Sequence, residues 1–578
     1  MMRFEVLTWG AATVALVASG AVNAADLTRP ESVAPKLWSW TGGYIGGHVG
    51  GGYGRTSFSD PYGPSIYGDV VDTPAFLVGG QIGYNWQWER WVFGVELEGS
   101  RAVSDGTNTC LAFSSAVVIA TCNAGPSFLA TGTARVGYTL GPQGHTLAYV
   151  KAGAAWQNNR GAIVNHNEFR HGDFAGFPRY STRLDDGRFG ATIGVGIEQQ
   201  LTPAWSVNFE YDYMGFAGPR VATPPTMQGP PYAIVPASTS RLSSDYHIGK
   251  IGLNYHFGAD PNTEWVDAPL HPAEASVKTK PVLSTGDWSF ESGSRIWLSR
   301  GLFQWDFTYP PRFPGDESVP NSRLTYHRLD GVSGELFGRL DSPWGIFLKG
   351  YMGLGRFNKG KMNDEDSSAH KLVAYSNTLL RQANGRFEYY TADVGYDFLR
   401  GSSYKVGAFV GWTNYSQKSD SIGCVQTASS SPPWPCTGKF QWQGQISGSQ
   451  DTDWNAPRIG ISAEALMLER WRVSADVAYL PWTSFRGRDH HLLRPETFFY
   501  DHRGDGGAGL QVEGALSYFL TKNFSIGVGA RYWSMWTRKD SEGNLNVNSE
   551  HDRVQIPALA KFRMERWGTF LQASYKID

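Results

Sequence analysis

Two long regions of the chain alternate apolar and polar residues with a period of two. The clearest case is a hairpin in which every second residue is apolar from Ile82 to Trp88 and again from Trp91 to Leu97, with a two-residue turn between the runs. A period of two indicates β-strands. Apolar residues outside, polar residues inside and a tight turn at one end are typical of transmembrane β-barrels.

The first region spans residues 38–257. Besides the two strands of that hairpin, similar segments lie near 44–53, 128–140, 146–157, 188–200, 205–216 and 246–257. The pattern therefore predicts an eight-stranded outer-membrane barrel, in which side chains fill most of the lumen.

The second region, residues 287–578, repeats the alternation in longer strands. We count ten strands, near 288–304, 322–340, 345–356, 385–399, 403–416, 454–467, 470–485, 507–520, 523–538 and 555–577. Between the regions, residues 258–286 lose the period and hold four prolines, so they are predicted to be a linker. The predicted fold is all-β: two tandem antiparallel transmembrane β-barrels, of eight and then ten strands. An even-stranded barrel has both ends on one side, which places the linker in the periplasm.

Composition supports this fold. Aromatic residues make up 14% of the chain, charged residues 18%, and 69 of 578 residues are glycine. Aromatic girdles and small lumen-facing residues explain these values. The net charge of −2 argues against a nucleic-acid binder.

The N-terminus predicts export. Arg3 precedes an apolar stretch from Val6 to Ala18, and Val22-Asn23-Ala24 fits a signal-peptidase site, so residues 1–24 are predicted to be a signal peptide. No later segment reaches the ~18 consecutive apolar residues that a membrane helix needs. We therefore expect a bacterial outer-membrane location.

The four cysteines form two equally spaced pairs, Cys110 with Cys122 and Cys424 with Cys436. In an oxidising compartment this spacing favours two local disulfides over a metal site, because no histidine neighbours the cysteines at ligand spacing.

A glycine run at residues 42–52 superficially suggests a phosphate-binding loop. Its spacing fails the dinucleotide pattern and no helix follows, so tight curvature of a barrel strand is the better interpretation. The stretch 40–47, together with the closing segment 252–257, resembles the opacity-type family of eight-stranded outer-membrane proteins. That resemblance implies a surface-exposed barrel and identifies no catalytic residue.

Two polar steps stand out in the second region: Asp364-Glu365-Asp366 and Asp489-His490-His491. In a strand, residues i and i+2 share a face about 6.6 Å apart, so each step could present two polar side chains to one cavity. Solvated turns are one alternative. Adventitious zinc is another, but a third firm ligand is not evident.

In combination these steps make residues 287–578 resemble the omptin family of outer-membrane proteases. Omptins carry an Asp-x-Asp after the third strand and an Asp-x-His at the end of the seventh, facing each other across the barrel mouth. The flanking segments 404–412 and 456–460 also resemble that family. The resemblance implies that His491 is a general base oriented by Asp489, and that Asp364 and Asp366 hold the attacking water opposite.

Two family features are changed in this sequence. The acidic residues that give omptins their preference for basic substrates correspond to Gly487 and, by a looser match, Ser294. In addition, strict alternation from Trp471 would point Asp489 and His491 toward lipid. A bulge near Pro481 or Gly487, or a strand that rises well above the membrane, would resolve this.

The leading functional hypothesis is an outer-membrane endopeptidase of omptin type, with its active site facing the cell exterior and a peptide or protein as substrate. No metal or other cofactor is expected. The resemblance also implies dependence on lipopolysaccharide, bound through basic side chains on the outer wall of the second barrel. The main alternative is a non-enzymatic surface protein; a diffusion porin is disfavoured, because neither barrel reaches the strand number of an open channel.

Overall fold

The computed structural model describes residues 37–577, apart from 64–68, 112–119, 167–180, 224–225, 228–233, 259–280, 284–285, 309–319, 358, 367–375, 430–443, 493–496, 539–540 and 549–552. The predicted signal peptide and most of the predicted linker lie outside these residues. No helix in the described part of the chain is long and apolar enough to cross a bilayer.

The first barrel is a closed antiparallel sheet. Its strands and short extensions are β1 (Gly42–Phe58), β2 (Val70–Asp72), β3 (Ala75–Trp88), β4 (Trp91–Ser104), β5 (Gly106–Cys110), β6 (Ala120–Leu140), β7 (Thr146–Asn165), β8 (Ser181–Gln200), β9 (Trp205–Phe216), β10 (Arg220–Thr223), β11 (Thr226–Met227), β12 (Ile234–Val235) and β13 (Ser238–His256). Eight of them form the wall in the order β13-β9-β8-β7-β6-β4-β3-β1, and pairing of β13 with β1 closes it.

The second barrel is larger and is closed in the same way. It comprises β14 (Ser289–Thr308), β15 (Ser322–Asp341), β16 (Ile346–Phe357), β17 (Lys361–Asp366), β18 (Ser376–Gly401), β19 (Tyr404–Ser429), β20 (Ile446–Met467), β21 (Trp471–Leu480), β22 (Thr483–His491), β23 (Thr497–Gly506), β24 (Ala508–Phe519), β25 (Phe524–Trp536), β26 (Ser541–Asn548) and β27 (Arg553–Ile577). Ten strands form the wall, in the order β14-β15-β16-β18-β19-β20-β21-β24-β25-β27, and β14 pairs with β27. The predicted fold class, with eight and ten strands, is confirmed.

Each barrel has one end with short turns, called here the short-turn end, and an opposite end where the strands are prolonged, called the extended end. At the extended end of the second barrel, β17 replaces β16 between β15 and β18, and β22, β23 and β26 replace three further wall strands. The last strand of the first barrel is β13, and the first strand of the second is β14. Both adjoin residues 258–286 at the short-turn end.

The alternation predicted from the sequence is the alternation seen in the walls. On the first hairpin Ile82 and Leu97 are 55% and 64% exposed on the outer face, whereas Glu96 is 3% exposed inside. Lumen-facing carboxylates are buried, so they need counter-charges. In the first barrel Lys151 and Lys250 supply them, and the resulting network fills the lumen.

The lumen of the second barrel is also filled. Toward the short-turn end, Arg531 is paired with Glu335 and Glu513 at 2.6 Å each. Beside this ion-pair group, one apolar cluster occupies the interior, and its large members include Trp297, Phe303, Trp305, Tyr326, Phe387, Tyr389, Tyr415, Trp454, Phe485, Trp533, Phe562 and Phe570.

A disulfide joins Cys110 and Cys122, with a Cα–Cα distance of 5.7 Å, and closes the hairpin of β5 and β6. This is the first of the two predicted cysteine pairs. Cys424 is also disulfide-bonded, whereas its predicted partner, Cys436, lies outside the described residues.

Candidate active site

The two aspartates of the first polar step lie on strand β17 rather than in a loop. Their register places Asp364 opposite Leu324 of β15 and Asp366 opposite Ser322. Both share the inward face with Met362, which belongs to the apolar core. Asp364 is half-buried next to the apolar core, and Asp366 is exposed at the rim of the barrel.

A β-bulge turns the second polar step toward the lumen. Between the pairs Ile459–Tyr479 and Asn455–Ser484, four steps along β20 lie opposite five steps along β21 and β22. The extra residue falls at Pro481-Trp482, where β21 ends and β22 begins. A one-residue insertion exchanges the two faces of all residues that follow. The bulge expected near Pro481 is therefore present.

Asp489 consequently lies inside the barrel. It is 8% exposed and shares its face with Phe485, a member of the apolar core. His491 has the same phase on β22, and its backbone is paired with Gly448. The side chain of His491 lies outside the described part of the structure. His490 is one position out of phase with both.

Tyr326 connects the two sides of the lumen. Its hydroxyl donates a hydrogen bond to Oδ1 of Asp489 at 3.3 Å, although β15 and β22 are on opposite sides of the ring of strands at this level. Burial, and then the negative charges of Asp489 and Asp364, hold the pKa of Tyr326 well above its ordinary value. The phenol of Tyr326 therefore stays protonated and can donate a hydrogen bond. The charges of both aspartates are close enough to affect it.

Aromatic rings form the floor beneath these groups. Phe303 packs against Tyr326 with ring centroids 5.7 Å apart, and against Phe485 at the same distance. Phe485 also stacks on Phe562 at 4.0 Å and contacts Trp454 at 4.7 Å. An apolar floor strengthens the electrostatic interactions of the carboxylates above it, because it keeps water away from one side.

Gly487 and Ser294 are the positions that the sequence matches to the acidic pocket residues of omptins, and the two lie in different surroundings. Gly487 does face the lumen between Phe485 and Asp489, and a Cβ atom there would lie 2.5 Å from Cζ of Phe485. A side chain at this position would therefore displace the ring of Phe485. Ser294, in contrast, is exposed on the outer wall in phase with Ile296, so the looser sequence match to a pocket residue is wrong.

Among the described residues, one group of carboxylates has the geometry to bind a metal ion, and it is remote from this site. Glu98, Glu210 and Asp212 lie together in the lumen of the first barrel. The ammonium group of Lys250 is 2.6 Å from a carboxylate oxygen of each of them, and Lys151 adds a second cation. The lysines thus already provide the counter-charge that a metal would supply.

Two arginines mark the outer wall of the second barrel just beyond its apolar belt. Arg356 on β16 and Arg386 on β18 are directly opposite each other in the register, and both are exposed. Lys418 is opposite Arg386 on the next strand and pairs with Asp451. Leu354, two residues from Arg356 toward the short-turn end, is 71% exposed on the same face.

Comparison with known proteins identifies the first barrel at the level of a domain. Residues 12–257 match the family model described as outer membrane protein beta-barrel domain. Over 271 residues the chain is 29% identical to the 31 kDa outer-membrane immunogenic protein of Brucella melitensis biotype 1, and equally to that of Brucella suis biovar 1. The alignments cover 43% of this chain and 98% of each relative. This is a bacterial outer-membrane β-barrel protein.

Solved structures similar to this chain include an outer-membrane protease and a bacterial surface protein. The outer membrane protease OmpT from Escherichia coli is 13% identical, with a TM-score of 0.41, 50% of this chain covered and 97% of that one. Neisserial surface protein A is 13% identical, with a TM-score of 0.17 and coverages of 38% and 98%.

Sequence reasoning singled out the four Asp and His residues but missed Tyr326. Alternation along β15 points Tyr326 outward, because it has the same parity as Val332 and Leu336, which are exposed on the outer wall. The irregularity between Gly301 and Phe303, in the pairing of β14 with β15, turns Tyr326 inward. Its partner on the far side of the lumen could not be found from that phase.

Proposed function

We propose that the second barrel of this outer-membrane protein is an endopeptidase that activates water at its extended end. The observation that carries the proposal is the hydrogen bond across the lumen from Tyr326 to Asp489, with Asp364 close enough to act on the same phenol. The carboxylates of Asp489 and Asp364, from opposite walls, thus approach the buried hydroxyl of Tyr326.

In the proposed mechanism the imidazole of His491 takes a proton from water as the water attacks a peptide carbonyl. Asp489 orients that imidazole, while Tyr326 fixes Asp489 by donating to one of its oxygens. Asp364 and Asp366 hold the water from the opposite wall. General-base assistance of this kind is typically worth ~10²–10⁴-fold in rate, and no covalent intermediate or metal is required.

Substrate preference should differ from cleavage at paired basic residues. Gly487 leaves no carboxylate beside Asp489, and the floor of the site is aromatic. We therefore propose that apolar or aromatic side chains are accepted next to the cleaved bond. We also propose that the extended end faces the cell exterior and the linker lies in the periplasm, because outer-membrane barrels have their short turns on the periplasmic side.

The test is cleavage of a mixed peptide library by refolded full-length protein. His491→Ala and Asp489→Asn should each lower the rate by about 10²-fold or more while the barrel still folds. His490→Ala is the matched control, because residue 490 has the opposite phase, and it should change the rate little. Equal cleavage by wild type and His491→Ala would contradict the proposal.

A non-enzymatic surface protein is the second candidate. Two observations favour it: the Brucella relatives are described as immunogenic outer-membrane proteins, and the lumen of the second barrel is packed by aromatic rings. Absence of any cleavage by the wild-type protein, together with an intact barrel, would support this candidate over the peptidase.

A further inference from the structure

Outer-wall residues that would be expected to meet lipid are buried where the two barrels approach each other. On the first barrel Val207 and Ile251 are 0% and 4% exposed, although Tyr255, in phase with Ile251, is 39% exposed. On the second, Ala465 and Val477 are 0% and 2% exposed. These residues of both barrels form one apolar cluster.

Individual contacts continue this seam toward the extended end. Phe76 stacks on Tyr479 with centroids 4.8 Å apart, and Tyr53 meets Tyr532 edge-on at 6.2 Å. Between them, Gly51 lacks the Cβ atom that would otherwise lie 2.7 Å from Cδ1 of Leu510. The walls are thus shaped for contact with each other along this line.

A group of polar contacts, called here the clasp, joins the barrels at the extended end. Lys561 of the second barrel contacts Asp105 at 2.5 Å and Oγ1 of Thr107 at 2.9 Å, both in the first barrel. The guanidinium of Arg323, bidentate with Asp306 of its own barrel, donates to Oγ1 of Thr109 at 2.7 Å. Gln304 donates to the carbonyl oxygen of Thr107, and Arg563 lies 3.4 Å from Asp72.

Two first-barrel partners in the clasp, Thr107 and Thr109, lie on a hairpin, and Asp105 immediately precedes it. Thr107 and Thr109 belong to β5, which pairs with β6 and is closed by the Cys110–Cys122 disulfide. Thr107 and Thr109 are 5% and 1% exposed, and Arg323 is 1% exposed. A closed hairpin loses less conformational entropy when it docks than a free loop would.

We infer that the two barrels are a preformed lateral pair, in which the disulfide-closed hairpin of the first barrel docks on the extended end of the second. Apolar walls gain little from leaving lipid for each other, because lipid tails are equally apolar. The packing of the seam makes the two walls complementary in shape, and the partly buried ion pairs and the hydrogen bonds of the clasp fix their orientation. The linker raises the effective concentration of one barrel beside the other.

The pair can be tested by placing a specific protease site in the linker, residues 258–286, and cutting it after the full chain has folded in lipid nanodiscs or mild detergent. The halves should still co-elute on size exclusion at micromolar concentration. Asp105→Lys places a cation beside Lys561 and should lower the paired fraction at least ten-fold. The exchanged pair Asp105→Lys with Lys561→Asp should restore it.

Asp185→Lys is the matched control. Asp185 is an exposed residue of the first barrel whose ion pair is with Arg160 of the same barrel, so this change should leave the paired fraction unaltered. Folding of each variant is checked by its heat-dependent shift on gels. Separation of folded wild-type halves, or loss of pairing in Asp105→Lys that the exchanged pair does not restore, would overturn the inference.

Discussion

The Tyr326 hydroxyl reaches across the second barrel to the carboxylate of Asp489, at 3.3 Å. The two strands that carry them are separated by four others in either direction around the extended end. A bond of this kind ties opposite walls together and fixes the distance across the candidate site. It also orients one carboxylate oxygen of Asp489.

Tyr326→Phe should therefore lower turnover without removing the site. Hydrogen bonds to charged groups contribute roughly 1.5–3 kcal/mol, and one as long as 3.3 Å is expected near 1 kcal/mol. We expect kcat to fall about 3–10-fold with KM nearly unchanged, because Tyr326 positions Asp489 rather than binding the peptide. The control is Tyr389→Phe, whose hydroxyl meets Ser333 deeper in the lumen. Equal effects of the two changes would contradict a positioning role.

Activity of the second barrel should increase on addition of lipopolysaccharide. Arg356 and Arg386 are opposite each other on the outer wall, and paired guanidinium groups bind phosphate oxygens strongly. The double change Arg356→Gln with Arg386→Gln should abolish the increase. Arg300→Gln is the control, because Arg300 is already bidentate with Asp330. Equal activity of wild type with and without lipopolysaccharide would rule the effect out.

Loss of the Cys110–Cys122 disulfide should weaken both the first barrel and its docking. In the chain-entropy model a loop of this size contributes about 3 kcal/mol. Replacing both cysteines by serine should lower the unfolding temperature of the protein and decrease the paired fraction after linker cleavage. Peptide mapping without reduction should recover Cys110 joined to Cys122 and Cys424 joined to Cys436. A different pairing in folded protein would refute the assignment.

Asp60, beyond the end of β1, should make stability depend on pH. Burial raises the pKa of Asp60 to about 6, above its ordinary value near 3.9. The folded state thus holds this carboxyl proton more tightly than the unfolded state, so the cost of burying the charge is full above pH 6 and disappears as the pH falls toward 4. Asp60→Asn keeps the acceptor for the amide of Tyr62.

The Asn variant should therefore unfold at a higher temperature than wild type at pH 7.5, and the difference should shrink by pH 4.5. Asp185→Asn, at an exposed position, serves as the comparison and should show little change. A difference between wild type and Asp60→Asn that grows as the pH falls would reverse the sign of this argument.

The sequence alone determined the number of wall strands in each barrel and, below the bulges, their two faces. Alternation from Ile82 to Leu97 identifies outer and inner residues because the period of a strand is fixed at two, whatever it pairs with. The same reasoning located Asp364 and Asp489 near one end of the second barrel. It also showed that strict alternation would point Asp489 toward lipid, and the structure resolves this with a bulge at Pro481-Trp482.

Only the tertiary structure decided which residues meet across space. The bond from Tyr326 to Asp489 depends on the closure of ten strands, which no local pattern records, and the outward direction of Ser294 corrected a match made by sequence alone. Ile251 and Val477 look in the sequence like any lipid-facing residues. They are buried between the barrels because lipid and a second barrel present the same apolar environment to a side chain, so an alternating pattern cannot distinguish the two.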